Sequence, residues 1–249
     1  MDQTEVVVIS LTRAAARREG VARELGRLGV DFRFFDAVDG ARLESLPAQY
    51  DRQRRLRQYG IDLSAGELGC FLSHRAVWQE CVASQRDFLV LEDDFRVAGD
   101  LAAILDGIAQ VSEPWDFIRL SGDRQQRRIA VPVRSLGAFT VVEELSESLL
   151  TTGYVVNPRG AARLLRSSER FWMPVDNFME MRYAHGIRSL SVLPYPIEHL
   201  PLGSTIGDRA VRDKPMGWRL RRLWFRSLHD LNRYAWVARR FCARKLHGS

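Results

Sequence analysis

Apolar segments of strand length alternate along this chain with segments of helical spacing. Residues 6–11 form a β-branched run of buried-strand length, residues 14–28 follow with helical spacing up to Gly29, and residues 32–38 read as the next strand. Further strands are predicted at residues 88–91, 116–120, 138–142, 152–156 and 190–193, and further helices at residues 64–84, 101–110, 158–165 and 175–184. This alternation predicts an α/β fold with a mainly parallel, doubly wound sheet.

Length and cysteine content limit the classes of protein to consider. A chain of 249 residues, 46% of them hydrophobic, can bury the core of one large domain, or of a domain with an appendage. Cys70, Cys81 and Cys242 are too few for a disulfide framework, so we expect a reducing compartment. The amino terminus has neither the charge pattern of a signal peptide nor an apolar run long enough for a membrane span, and we expect a cytoplasmic protein.

Positive charge is concentrated at the carboxyl end. Residues 209–249 carry a net charge of +10, so residues 1–208 carry −4, and we predict a body and a separate basic helical tail at that boundary. The apolar residues of the tail follow helical spacing: Leu220, Leu223, Trp224, Leu228 and Leu231. An amphipathic basic helix suits an anionic membrane surface, although its apolar stripe could instead pack on the body. No nucleic-acid reader motif accompanies the charge, so we predict no nucleic-acid partner.

Three successive acidic residues stand at the end of a buried strand. The run at residues 88–91 leads directly into Glu92, Asp93 and Asp94, and ligands of open α/β sheets bind beyond the carboxyl ends of the strands. Carboxylates gathered in a cleft repel one another, and a hard cation such as Mg²⁺ or Mn²⁺ relieves that repulsion. From these residues alone, a cation site and a solvated acidic loop both stay open.

Ordered motifs along the chain resemble one known family. Ser64 and Glu67 form a capping box that opens the helix carrying the third of these motifs. The motifs are Ile9-Ser10-Leu11 with Arg17-Arg18, the run from Phe34 to Gly40, the run from Gly66 to His74, Leu91-Glu92-Asp93-Asp94, the run from Thr152 to Ala161, and Pro174-Val175-Asp176-Asn177. In this order, over residues 6–208, they resemble glycosyltransferase family 25, whose bacterial members include lipopolysaccharide and lipooligosaccharide galactosyltransferases.

The resemblance implies a fold and a reaction. It implies a GT-A-type catalytic domain over residues 1–208, with Mn²⁺ or Mg²⁺ and inversion at the anomeric carbon. The donor would be a UDP-sugar such as UDP-galactose, and the acceptor a glycan or glycolipid of the lipopolysaccharide type. Together with the basic tail, this places the protein on the inner face of a bacterial cytoplasmic membrane. The alternatives are an inactive relative that binds glycan or membrane, and a metal-dependent nucleotidyltransferase.

The resemblance also carries donor-binding and metal-binding roles onto particular residues. Glu92, Asp93 and Asp94 would form the metal and diphosphate motif, with Asp94 the first choice as ligand. The residues expected near the donor nucleoside are Ile9, Ser10, Leu11, Ala37, Asp39 and Gly40. Arg17 would meet donor phosphate unless it lies on an exposed helix face. His199 is a candidate metal ligand late in the chain.

Proton transfer and loop closure complete the expectations. An inverting transfer needs a carboxylate that takes the proton of the acceptor hydroxyl, and Asp176 is the candidate base, with Asp123 its competitor. Either residue could instead cap a helix. His74 could contact the donor phosphates or the acceptor, or serve a structural role. Residues 121–135 are predicted to form a flexible loop over the donor, and residues 203–208 depart from the family pattern.

Overall fold

The computed structural model describes residues 4–122, 129–144, 146, 148–200, 224, 227, 230–236 and 238–239. The strands are β1 (Thr4–Ser10), β2 (Arg33–Asp36), β3 (Asp87–Glu92), β4 (Phe95–Val97), β5 (Phe117–Arg119), β6 (Ala130–Leu136), β7 (Phe139–Glu144), β8 (Gly153–Val156), β9 (Ser189–Leu193) and β10 (Ile197–His199). The helices are α1 (Ala15–Arg27), α2 (Arg52–Tyr59), α3 (Ala65–Ser84), α4 (Leu101–Ala109), α5 (Pro158–Ser167), α6 (Val175–Met179) and α7 (Arg182–His185), with 3-10 helices at Gly40–Arg42 and Ser168–Arg170.

An eight-stranded sheet in the order β2-β1-β3-β8-β5-β9-β7-β6 forms the centre of the protein. Strands β1, β2 and β3 are parallel neighbours, as are β5 and β9, whereas β8 and β7 run in the opposite direction. Six of the eight strands therefore share one direction. This confirms the prediction of an α/β fold with a mainly parallel sheet.

Helices cover both faces of the sheet. Val7 and Ile9 of β1 point into the core formed with α3, α5 and α6, while Val6 and Val8 point into the core formed with α1 and α4. Successive strand residues alternate between faces, so a continuous apolar run is what a strand covered on both sides requires. Because helices cover both faces of the sheet, the ends of the strands are left as the places where a ligand can bind.

The long central helix α3 begins where the sequence predicts. The Ser64 hydroxyl accepts from the Glu67 backbone N–H at 3.2 Å, and the Glu67 carboxylate accepts from the Ser64 backbone N–H at 2.8 Å, which completes the capping box. Trp78 and Phe71 on this helix are fully buried. Both side chains lie on the face of α3 that packs on the sheet.

Three details differ from the expectations. The single helix expected at residues 175–184 is two short helices, α6 and α7, separated at Glu180 and Met181. Residues 130–135, expected within a flexible loop, belong to β6, which pairs antiparallel with β7 and has a bulge between Pro132 and Arg134. The third difference is a small sheet formed by β4 and β10. It was not predicted, because strands of three residues are too short to show the alternation of apolar and polar residues.

The carboxyl-terminal region is helical where it is described, at residues 224, 227, 230–236 and 238–239. Most of the predicted tail, residues 209–249, and the segment 203–208 lie outside the described residues, so the proposed domain boundary stays a prediction. Among the described helices, none has both the length and the hydropathy of a membrane span.

Candidate functional site

A cavity of about 810 Å³ opens at the carboxyl ends of β1 and β3. The antiparallel strand β8 begins at the same end of the sheet, where the Glu92 backbone N–H donates to the Thr152 carbonyl at 3.0 Å. The cavity is lined by all the described site residues that the sequence singled out: Ile9, Ser10, Leu11, Arg17, Ala37, Asp39, Gly40, His74, Glu92, Asp93, Asp94, Asp176 and His199. The competing base candidate, Asp123, lies outside the described residues.

Asp93 is held by contacts on both of its carboxylate oxygens. Ser10 donates its hydroxyl to Oδ2 at 2.6 Å, and Arg17 donates to Oδ1 at 3.0 Å. These contacts join the end of β1, the start of α1 and the acidic strand end. Arg17 is still partly exposed to the cavity, so its predicted contact with a donor phosphate stays a prediction.

Glu92 ends a chain of buried hydrogen bonds. Trp78 donates its ring N–H to the Tyr154 hydroxyl at 3.0 Å, this hydroxyl lies 2.8 Å from His74 Nδ1, and His74 Nε2 lies 3.2 Å from Glu92 Oε1. Because the buried Tyr154 hydroxyl has His74 Nδ1 as its acceptor, Nε2 carries the ring proton and donates it to Glu92. The hydrogen-bond partners of His74 are thus protein groups, as a structural role for this residue requires. Its contact with the donor stays a prediction.

The pKa of Glu92 follows from these contacts. Burial would raise the pKa, but the hydrogen bonds from His74 and from the Thr151 hydroxyl outweigh it and hold the pKa below its ordinary value. Glu92 is therefore an ionised carboxylate inside the cavity at neutral pH.

One carboxylate oxygen of Asp94 has no hydrogen-bond donor among the described residues. This oxygen, Oδ1, is buried, and His199 Nδ1 lies 3.4 Å from it. Burial, followed by the negative charge of Glu92, raises the pKa of Asp94 to about 6. The pairing of β4 with β10 brings His199 beside Asp94, where the Leu200 backbone N–H donates to the Asp94 carbonyl at 2.7 Å.

A hard divalent cation fits this position. An ionised, buried carboxylate oxygen without a donor is destabilised, and a cation would remove that penalty. The predicted ligands Glu92, Asp94 and His199 do not gather into one compact group. Among the described residues, the set whose ligand atoms all lie within 4.8 Å of one another is Cys70, His74 and Glu92. The metal-ligand assignment therefore stays a prediction, with Asp94 and His199 in contact and Glu92 turned toward His74.

Asp176 lies in the first turn of α6, on the cavity wall. The N-cap position of α6 is Pro174, so Asp176 is not the N-cap residue that the alternative interpretation proposed. Its carboxylate accepts from the Asn177 backbone N–H at 2.7 Å. Burial, and then the charge of Glu92, raise its pKa against the lowering effects of that hydrogen bond and of Arg119. A carboxylate with a raised pKa is suited to accept a proton.

The segment around Asp39 and Gly40 forms the opposite wall. Arg13 binds both carboxylate oxygens of Asp39, at 3.0 and 3.3 Å, and Asp39 caps the 3-10 helix that follows. A Cβ on Gly40 would lie 1.7 Å from the Ala65 carbonyl oxygen, and one on Gly69 would lie 2.5 Å from the Val38 carbonyl oxygen. Glycine at both positions lets this wall lie directly against α3.

Sequence reasoning missed the segment that holds Glu92 from the other side. Thr151 donates to Glu92, and the preceding residue, Leu150, has a left-handed φ of 102°, which is strained for a branched side chain. The Leu150 carbonyl accepts from the buried Arg119, which also donates to Glu180 at 2.6 Å. The one sequence signal was Thr152, at the start of a motif already noted; neither Leu150 nor Arg119 stands out from its neighbours.

These features define an α/β protein with an acidic ligand cavity at the carboxyl edge of its sheet. The family model described as "Glycosyltransferase family 25 (LPS biosynthesis protein)" matches residues 3–179. The chain therefore belongs to glycosyltransferase family 25, as the ordered motifs predicted.

Three relatives illustrate the range of the family. Procollagen galactosyltransferase 1 of Danio rerio is 33% identical over 190 residues, procollagen galactosyltransferase 2 of Homo sapiens is 30% identical over 190 residues, and inactive glycosyltransferase 25 family member 3 of Homo sapiens is 32% identical over 198 residues. Each match covers 72% of this chain. The matched regions cover 31%, 30% and 31% of the three relatives, so the chain spans about a third of their length.

A solved structure also matches, at low similarity. It is described as a mannose-1-phosphate geranyltransferase from Thermus thermophilus, with 13% identity, a TM-score of 0.34, and coverage of 76% of this chain and 73% of that chain. This likeness is too weak to carry an argument about function.

Proposed function

We propose that this protein is an inverting glycosyltransferase that moves a sugar, galactose in the first instance, from a UDP-sugar to a hydroxyl group of a glycan acceptor. The observation that carries the proposal is the pair of carboxylates Asp94 and Asp176, both partly buried in one cavity and both with raised pKa values. One of them suits a cation beside the diphosphate, and the other suits a proton acceptor.

Each side chain then has a defined task. Asp94, with His199 beside it, would hold Mn²⁺ or Mg²⁺, whose chemistry when bound is to neutralise the charge of the departing diphosphate. Arg17 and the wall around Asp39 would bind and orient the nucleotide. Asp176 would take the proton from the acceptor hydroxyl as its oxygen attacks the anomeric carbon. The relay from His74 to Glu92 would keep one carboxylate ionised and fixed at the cavity floor.

The donor, the acceptor and the location are the finer parts of the proposal. Galactose is favoured because two relatives are named procollagen galactosyltransferases, and a lipopolysaccharide-type acceptor because the family description names LPS biosynthesis. The basic tail would bring the enzyme to the anionic inner face of a bacterial cytoplasmic membrane, where a lipid-linked acceptor is built.

The direct test is Asp94→Asn, assayed for UDP-galactose hydrolysis and for transfer with and without Mn²⁺. We expect the metal-dependent activity to fall by a factor of about a hundred or more while the far-ultraviolet circular dichroism is unchanged. Asp31→Asn removes an exposed carboxylate outside the cavity and is the matched control. Full metal-dependent activity in Asp94→Asn would reject the site assignment.

A second candidate is a catalytically inactive protein that binds glycan or membrane through the same surface. A relative at 32% identity carries the name "inactive", which gives this alternative a specific basis. Calorimetry of UDP binding separates the two, because the enzyme should bind UDP more tightly with Mn²⁺ than without it. UDP binding that is absent, or indifferent to Mn²⁺, together with no turnover of any UDP-sugar, would favour the inactive protein.

A further inference from the structure

The strongest unassigned feature is the thiol of Cys70 in the wall of the cavity. The described part of the chain contains two free cysteines, both on α3. The Cys81 thiol lies 3.2 Å from the Arg86 carbonyl and 3.7 Å from that of Val156, so it has hydrogen-bond acceptors in the core. Within the same described residues, the Cys70 thiol makes no hydrogen bond and lines the cavity. Cys70 therefore has a free sulfur where a ligand can reach it.

Two further metal-binding side chains converge on this sulfur. Ligand atoms of Cys70, His74 and Glu92 all lie within 4.8 Å of one another. Residues 70 and 74 are one helical turn apart on α3, so both face the end of β3, where Glu92 stands. This spacing allows one ion to contact all three, with the fourth position of a tetrahedral site left open to the cavity.

We propose that Cys70, His74 and Glu92 form a binding site for a thiophilic divalent cation such as Zn²⁺, and that its occupancy inhibits the enzyme. The site is separate from the hard-cation position at Asp94, since sulfur and imidazole ligands select Zn²⁺ over Mg²⁺ or Mn²⁺. Inhibition follows because the ion would bind the Glu92 carboxylate and occupy the part of the cavity beside it. The inhibitory half of the proposal rests on the proposed function, and the binding half does not.

The outer contacts of His74 suit metal ligation. Its far nitrogen, Nδ1, lies 2.8 Å from the Tyr154 hydroxyl, which is itself fixed by the Trp78 ring N–H at 3.0 Å. A partner of this kind sets the ring orientation of a metal-bound histidine. Burial, and then the negative charges of Glu92, Asp176 and Asp94, raise the pKa of the Cys70 thiol well above its ordinary value. The same charges attract a cation.

Binding is balanced by the release of one proton. Cys70 gives its thiol proton to the buffer and binds Zn²⁺ as the thiolate. On His74 the ring proton moves from Nε2 to Nδ1, the Tyr154 hydroxyl turns its own proton away from Nδ1 and accepts the ring proton instead, and Nε2 donates its lone pair to the metal. Glu92 is already ionised. No oxidant or reductant takes part, and Zn²⁺ affinity should fall as the pH is lowered.

The test uses Co²⁺ as a spectroscopic substitute for Zn²⁺ in the full chain carrying Cys242→Ser, which leaves Cys70 and Cys81 as the thiols. A thiolate ligand gives a sulfur-to-cobalt charge-transfer band in the near ultraviolet, which imidazole and carboxylate ligands do not. We expect the band in this parent and after Cys81→Ser, and its loss after Cys70→Ser. Zn²⁺ affinity should fall by more than about tenfold in Cys70→Ser only.

Control measurements keep the outcomes distinct. Circular dichroism melting establishes that each variant is folded, and Cys81→Ala replaces Cys81→Ser if the latter unfolds. A band that persists in Cys70→Ser, or that is absent from the folded parent, overturns the site.

In the transfer assay with Mn²⁺, the Zn²⁺ concentration for half inhibition should rise more than about tenfold in Cys70→Ser, relative to its own uninhibited rate. An unchanged value overturns the inhibitory half. A parent with the cobalt band and no transferase activity would refute the proposed function while leaving the site standing.

Discussion

The charge of Asp94 destabilises the folded protein when no cation lies beside it. A carboxyl whose pKa rises from 3.8 to about 6 costs the folded state at most about 3 kcal/mol when it ionises without a cation. The cost is absent below pH 3.8, grows as the pH rises, and is complete above about pH 6, because the folded protein holds this proton more tightly than the unfolded chain does.

Asp94→Asn should therefore stabilise the metal-free protein at neutral pH. We expect a gain of about 1–3 kcal/mol at about pH 7.5 in the presence of EDTA, which shrinks to near zero at about pH 4. Urea unfolding at several pH values measures it, with Asp31→Asn as the control for the loss of one negative charge. A variant that is no more stable than the parent at neutral pH would contradict the account of Asp94 as an uncompensated charge.

The same residue shows what could be read from the sequence. Glu92, Asp93 and Asp94 were recognisable as a group because they follow a buried strand. Their different states were not, since they depend on partners far away in the chain: Ser10 and Arg17 for Asp93, the pair His74 and Thr151 for Glu92, and, among the described residues, no hydrogen-bond donor for Oδ1 of Asp94. Three adjacent carboxylates thus have three environments that only the tertiary structure defines.

At the scale of elements, the wall around Asp39 depends on how closely α3 approaches it. The Ser73 hydroxyl accepts from the Val38 backbone N–H at 2.8 Å and donates to the Gly69 carbonyl at 2.7 Å, which ties the wall to the helix. A methyl group on Gly69 would meet backbone atoms of Val38 and Gly40 at 3.0 Å or less. Backbone cannot rotate aside as a side chain can, so the wall itself would have to move.

Gly69→Ala should therefore weaken both the fold and nucleotide binding. We expect a loss of about 1–3 kcal/mol of stability and weaker UDP binding, measured by urea unfolding and calorimetry. Gly20→Ala on α1 is the matched control: its methyl group would meet nothing within 4 Å, and it should stabilise the protein by about 0.5–1 kcal/mol. Unchanged UDP affinity in Gly69→Ala would show that this wall does not shape the nucleotide site.

Elements with a strong local signal were predictable, and those fixed by distant pairing were not. The capping box at Ser64 and the helix start at Pro158 are indicated by a few local residues, and both are confirmed; Asn157 is the N-cap residue of the second helix. Strands β4 and β10 have three residues each and pair across about a hundred positions of chain, so no local pattern indicates them. Their pairing is what places His199 beside Asp94.

For the whole molecule, the question is how the basic tail relates to the body. In the described part of the tail, Arg233 is buried and the Trp236 ring lies 5.9 Å from the guanidinium carbon of Arg182. Trp224, Leu231 and Tyr234 are 60% or more exposed. The tail therefore has one set of side chains near the body and another set facing outward. The outward set, among many arginines, is what insertion into an anionic membrane surface requires.

We predict that Trp224, Leu231 and Tyr234 insert into anionic bilayers. The triple alanine variant of the full chain should lose more than about tenfold in binding to vesicles containing anionic lipid, measured by flotation, because it removes three exposed side chains that would bury apolar surface in the bilayer. Ile129→Ala is the control, since this residue on the body is 67% exposed. The parent should also release from the vesicles as salt is raised, because each basic residue contributes about 1 kcal/mol through screened attraction. Equal flotation of the triple variant and the parent, or equal binding of the parent to neutral and anionic vesicles, would reject the membrane role and leave packing on the body as the function of the tail.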